Sequence, residues 1–407
     1  MSEIKVTQEN IKNVFDFTDE IVENYPDRII GSDSCIEAGK RIADEYQKNC
    51  DEETVTRESF ICNPRSFLKY IRPSVIIYII STMLVYFNFP LLGALGYASA
   101  IVAFTSQFVF YKRFLDPLFP EEIGYNVYGT VEPEGEVKQQ IFLVGHHDAP
   151  YVFHLMNMNP KIYPLFIIFG LIPFFAGIIM TGSMTAFDFQ SVWMAKILIA
   201  MTIFVLPLWW FTTDTIAPGA GDNMIASALA NEGTKIFADA KKAGNNALKH
   251  TRIVCMSVDA EECGLRGSAF HARLHEKSMK DTKSYVFCLD TLYNADKLVF
   301  FDRDLNMTVK CSNSMAQQLT DVATDLGYKA KVGQMPFGGG STDAASFAKM
   351  GVEATCLLAF ELDIKNLQGD LVYHTPDDTS DAIEPEVVDQ ALNIITNYIQ
   401  IKDKEVS

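Results

Sequence analysis

The chain has 407 residues, 48% of them hydrophobic, with a mean hydropathy of +0.08 and a formal net charge of −17. That length accommodates one large α/β domain or two modest ones, and the hydrophobic content suits a soluble domain carrying a few membrane spans. The acidic balance argues against a nucleic-acid partner, because phosphate binding needs a basic face.

Residues 7–24 have the apolar spacing of an amphipathic helix. The loop PDRIIGSDS leads into a second helix over CIEAGKRIADEYQK, and VTRESFI reads as a strand. From Ser74 to Tyr111 there are 38 residues without a charge, about 57 Å if continuously helical. One span needs about 20 residues. Pro90, after Asn88 and Phe89, is a natural break, so the run reads as two short membrane helices joined by a turn. A second uncharged run covers 163–182, and 192–211 is apolar apart from Lys196. Trp209 and Trp210 close it, where interfacial aromatics are expected. Four inserted transmembrane helices in two hairpins are therefore expected. Elsewhere IFLVG, RIVCMSV and YVFCLD read as strands buried on both faces. They alternate with helical patterns at 222–242, 264–279, 311–327 and 385–402, which implies a sheet between helix layers.

Five acidic or histidine motifs stand at strand ends or in the loops beyond them, where open α/β sheets bind ligands. They are Gly145-His146-His147-Asp148, Gly219-Ala220-Gly221-Asp222-Asn223, Asp259-Ala260-Glu261-Glu262, Asp290, and Tyr373-His374-Thr375-Pro376-Asp377-Asp378-Thr379. Singly, each has an ordinary explanation: Asp222 could be a helix N-cap, and His374 a surface residue. The adjacent pair Glu261-Glu262 is more telling, because neighbouring carboxylates repel unless a cation lies between them.

In this order the motifs resemble the co-catalytic, two-zinc aminopeptidases and the related glutamate carboxypeptidase-like family. The stretches Glu261-Glu262-Cys263-Gly264-Leu265-Arg266-Gly267-Ser268 and Tyr373-His374-Thr375-Pro376 carry the resemblance most specifically. It implies a three-layer α/β/α domain with a mixed, mostly parallel central sheet. The domain would be assembled from residues 1–68, 116–160 and 214–407, with hairpins at 69–115 and 161–213. It further implies that His146 and Asp290 bind one zinc ion, that Glu262 and His374 bind another, and that Asp222 bridges the two. Asp148 would orient His146, and Glu261 would be the general base. The implied activity is hydrolysis of peptide bonds in a peptide or small aminoacyl substrate, with an aminopeptidase as first choice. A single-zinc glutaminyl cyclase and a non-catalytic membrane receptor or scaffold are the alternatives on the same fold. Two departures from the family pattern bear on substrate choice: Ala344 stands where many members have histidine, and Ala149-Pro150 follows the first motif.

Lys69, Arg72, Lys112, Arg113 and Lys161 flank the hairpins on one side, and Lys196 alone lies towards the other. The positive-inside bias then places the catalytic domain in the cytoplasm, with the lipid bilayer as partner. Eight cysteines without a C-x-x-C pair, and an amino terminus without an apolar signal core, agree with that side.

Overall fold

The computed structural model describes residues 4–245, 248–361 and 371–407. Helices α1 (Gln8–Asn24) and α2 (Asp33–Asn49) precede strand β1 (Thr56–Cys62). The Thr7 side chain caps α1 in a capping box with Asn10, and Ser32 caps α2. Next come α3 (Ile71–Tyr86), α4 (Pro90–Phe104), β2 (Glu122–Val131) and β3 (Gln139–His146). The second insertion holds α5 (His154–Met158), α6 (Tyr163–Ala186) and α7 (Val192–Val205). Beyond it lie α8 (Ile225–Lys242), β4 (Thr251–Val258), α9 (Arg266–Leu274), α10 (Glu276–Asp281), β5 (Lys283–Leu292) and β6 (Leu298–Asp304). The chain closes with β7 (Val309–Lys310), α11 (Asn313–Asp325), β8 (Ala330–Gln334), α12 (Ala344–Lys349), β9 (Glu353–Ala359) and α13 (Pro385–Val406).

Among the described residues the nine strands form one sheet in the order β1-β2-β4-β3-β5-β9-β6-β7, with β8 paired to β6. The central strands β4, β3, β5 and β9 run parallel, while β1, β2 and the β6–β9 pairing are antiparallel. Alternation along each strand assigns its side chains to two cores. Ile141, Leu143 and Phe287 pack under α1, α2, α8, α11 and α13, and Phe142, Val144 and Val286 pack under α9, α10 and α12. This is the expected three-layer arrangement.

Two helices depart from the sequence reading. The helix expected from residue 222 begins at Ile225, because Asp222 and Asn223 have non-helical dihedrals. The one expected over 264–279 breaks into α9 and α10 at His275.

The two apolar hairpins meet in one bundle, in which α4 packs on α6 and α3 on α7. Tyr78 donates to the Leu198 carbonyl at 2.9 Å, and the hydroxyls of Thr82 and Tyr97 lie 2.8 Å apart. These three buried hydroxyls thus have partners inside the bundle, as an apolar surrounding requires. Ile80, Met83, Leu95, Ile179, Trp193 and Ile203 are exposed on its outside. Among the described residues three segments are long and apolar enough to cross a membrane, not the four expected: Pro90–Val109, Tyr163–Ala186 and Val192–Trp210. Helix α3, at 16 residues, extends only about 24 Å against a hydrocarbon core of about 30 Å. The Asn88–Phe89 turn ahead of Pro90 ends it early, and Arg72 in its first turn is held by the Trp209 carbonyl at 3.2 Å.

Helix α8 lies against the end of β3 because Gly145 has no side chain. A Cβ there would sit 2.4 Å from the Ser227 amide nitrogen and 2.6 Å from the Ala226 carbonyl carbon. Gly145→Ala is therefore expected to destabilise the fold by about 1–3 kcal/mol, the usual range for overpacking. Denaturant unfolding in detergent checks this, and an unchanged midpoint would show that α8 yields freely.

Candidate metal centre

His146 is the last residue of β3, Glu261 and Glu262 lie just beyond β4, and Asp290 lies near the end of β5. Because β4, β3 and β5 are parallel neighbours, their carboxyl ends bring these residues to one edge. Asp222 comes from the turn before α8, and His374 from the loop before α13.

The carboxylate of Asp222 faces both histidines. Its Oδ1 lies 3.3 Å from His146 Nε2 and its Oδ2 lies 3.2 Å from His374 Nε2. Glu262 Oε2 is 3.6 Å from His374 Nε2, and Glu261 Oε2 is 3.9 Å from His146 Nε2. Ligating atoms of His146, Asp222 and Glu262 lie within 4.8 Å of one another, as do those of His146, Glu261 and Asp290. All seven residues singled out in the sequence, including Asp148, thus fall in one cluster.

Both histidines are oriented in the same way. His146 Nδ1 contacts the Asp148 carbonyl at 3.2 Å, and His374 Nδ1 contacts the Tyr151 carbonyl at 3.2 Å. A carbonyl only accepts, so each Nδ1 is the N–H and each Nε2 keeps a lone pair aimed inward. The Asp148 carboxylate lies 3.3 Å from His146 Nδ1. It also accepts the backbone N–H groups of Glu261 at 3.1 Å and Glu262 at 3.0 Å. One side chain therefore fixes a histidine and the turn bearing both glutamates. Asp290 is held by the Thr291 hydroxyl at 2.6 Å.

These residues fit a metal. His146 Nε2 and Asp222 Oδ2 are buried with no hydrogen-bond partner, a costly state unless a cation satisfies them. Burial pushes the Glu261 and Glu262 carboxyls well above their usual range, and Asp290 and Asp222 add to the respective shifts by repulsion. The same causes, burial and the Asp222 charge, raise Asp290 to about 8. Imidazole nitrogen and carboxylate oxygen are suitable zinc donors.

Residues 207–399 match peptidase family M28. No curated protein sequence matches the chain. Among solved structures, a glutaminyl cyclase of Fimbriiglobus ruber superposes with a TM-score of 0.57 at 12% identity, covering 98% of this chain and 97% of that one. A leucine aminopeptidase precursor of Bacteroides thetaiotaomicron gives 0.57 at 11% identity, covering 98% and 99%. A Zn-dependent exopeptidase of Parabacteroides distasonis gives 0.56 at 13%, covering 97% and 99%. At these identities the likeness is one of fold.

Several residues that hold the candidate centre together were not singled out in the sequence. Asp378 is fully buried, and its carboxylate accepts the N–H groups of Gly221 at 2.8 Å and Asp222 at 3.3 Å. Burial, followed by the charge of Asp222, raises its carboxyl to about 7. Arg28, also fully buried, donates to the carbonyls of His147 at 2.8 Å and Pro218 at 2.8 Å. It joins the ends of the two segments that carry His146 and Asp222. Asn223 donates to the Leu289 carbonyl at 2.9 Å, beside Asp290. The Phe153 ring lies tilted against the His374 ring, with centroids 4.1 Å apart. The signals for two of these were present: Asp378 belongs to the same motif as His374, and Arg28 to the early PDRIIGSDS loop.

Asp378→Ala should leave the Gly221 and Asp222 amides unpaired and let the Asp222 carboxylate drift. Zinc affinity, measured against a competing chelator, should fall roughly 10–100-fold, as is usual when support behind a ligand is lost. Unchanged affinity would mean that the turn holds Asp222 unaided.

Proposed function

We propose that this chain is a membrane-embedded, two-zinc exopeptidase, with aminopeptidase action as first choice. The observation that carries the proposal is the Asp222 carboxylate, which offers one oxygen to each of two histidines. On this reading His146 and Asp290 would hold one ion, Glu262 and His374 would hold the other, and Asp222 could serve both. A zinc pair supplies Lewis acidity that polarises a peptide carbonyl and makes water a nucleophile near neutral pH. Glu261 takes the proton from the attacking water at its carboxylate and passes it to the leaving amine. Asp148 fixes Glu261 through its backbone N–H and keeps His146 Nε2 pointed inward.

The three apolar segments of spanning length support membrane embedding, and the charge pattern of their flanks supports a cytoplasmic catalytic domain. Contacts of His374 support a site close to the membrane surface. Its carbonyl accepts the Phe153 N–H at 3.0 Å, and the Phe153 ring lies 5.1 Å from that of Phe211 at the end of the second hairpin. Apolar or membrane-delivered substrates would suit that placement.

The second reading is cyclisation of an amino-terminal glutaminyl residue with a single zinc. Its support is the glutaminyl cyclases among the structural neighbours. Detergent-purified protein should decide between them when given leucyl and glutaminyl arylamides, with and without a chelator. The expected result is arylamine release that chelation abolishes. Glu261→Gln should lose roughly 10²–10⁴-fold in turnover, the usual worth of general base catalysis, while keeping its metal. Glu262→Ala should lose metal. Pyroglutamyl product from the glutaminyl substrate, without hydrolysis of the leucyl one, would establish the second reading instead.

A further inference from the structure

A second cluster of potential ligating side chains lies apart from the candidate metal centre. Glu58 is in β1, His271 is in α9, and His275 stands at the junction of α9 and α10. Their spacing of four residues puts the two histidines on one helix face. Glu58 Oε2 lies 3.0 Å from His271 Nδ1, and Glu58 Oε1 lies 2.7 Å from His275 Nε2. The imidazole centroids are 4.3 Å apart, and one ligating atom from each of the three residues lies within 4.8 Å of the others.

We infer that Glu58, His271 and His275 form a further zinc site, of His₂Glu composition, outside the peptidase centre. Two imidazoles and one carboxylate are a known zinc donor set, and a water or an added ligand completes the tetrahedron. The geometry leaves room for that fourth position. Glu58 and His271 are buried, but the His275 side chain is 32% exposed. Both histidines line a pocket of about 180 Å³ that also includes Tyr128, Gln140 and Arg252. The carboxylate is held from behind, because Asn126 donates to Glu58 Oε2 at 3.1 Å. Such support is typical of ligands that must keep a fixed direction. In the competing arrangement the same two imidazoles merely donate hydrogen bonds to Glu58 and no metal enters.

The site has a structural consequence for catalysis. A metal here clamps β1 to α9, and Asn126 links that clamp to both ends of the turn that bears Glu261 and Glu262. The same Asn126 side chain donates to the Gly267 carbonyl at 3.0 Å and accepts the Asp259 N–H at 3.1 Å. The metal therefore braces the catalytic turn from behind without touching substrate, and its presence does not depend on which reaction the peptidase centre performs.

The test strips the full-length, detergent-purified protein with a chelator, reconstitutes it with zinc alone and measures bound metal after desalting. The unsubstituted protein should retain one zinc equivalent more than His275→Ala, and the shape-preserving Glu58→Gln should show the same deficit. The rise in Tm on adding zinc should be smaller in both variants. Asp222→Ala, which disables the peptidase centre, should keep the equivalent that His275→Ala loses, so the two sites are read separately. If His275→Ala and Glu58→Gln bind as much zinc as the unsubstituted protein, the cluster is a hydrogen-bonded pair of histidines and the proposal falls.

Discussion

Two histidines from distant parts of the chain share one buried carboxylate, that of Asp222. His146 and His374 each turn Nε2 towards it, and each is held in that pose by a carbonyl behind its Nδ1. Glu261, Glu262 and Asp290 crowd the same space. Burial first, and then the repulsion of so many neighbouring acids, pushes the Glu261, Glu262 and Asp290 carboxyls above their usual range. Bound cations would convert the repulsion into attraction, so that metal binding and folding would reinforce each other.

Much of the fold keeps this cluster in register across two apolar insertions. The second insertion falls between Asp148 and Asp222, yet its ends are stitched together. Thr213 donates its N–H to the Val152 carbonyl at 3.0 Å, Val152 to Thr215 at 2.9 Å, and Ala217 to Pro150 at 2.9 Å. The first insertion is closed by Asp116, which accepts Ser66 at 2.6 Å and Arg266 at 2.9 Å, next to the turn of Glu261 and Glu262. Asn306 extends this tie, bonding the Phe108 carbonyl at 2.8 Å and the Gly338 N–H at 3.0 Å. Both hairpins are thereby attached to the loops around the centre, which gives a physical route by which a bilayer could shape substrate access.

The central strands were legible because β3, β4 and β5 are buried on both faces and read as unbroken apolar runs. The strands β6 and β9 are comparably apolar, but they pair antiparallel with each other, while β9 meets β5 and β6 meets β8 with a register shift, and pairings of that kind are not written in a local pattern. Among the site residues, every proposed ligand lies in a motif ending a strand or opening a loop, so position and chemistry coincided. Arg28 and Asp378 act through backbone carbonyls and amides, and such contacts depend on where distant segments meet. The shortfall at α3 has a simpler origin: the uncharged run has enough residues for two spans, but its turn divides them unequally.

Anomalous diffraction at the zinc absorption edge, on crystals of the zinc-loaded protein, tests the central claim most directly. Two peaks are expected about 3.5–4 Å apart, the usual separation of a two-metal site, one on each side of the Asp222 carboxylate. A single peak there, with His146 and Asp290 or Glu262 and His374 left unligated, would contradict it.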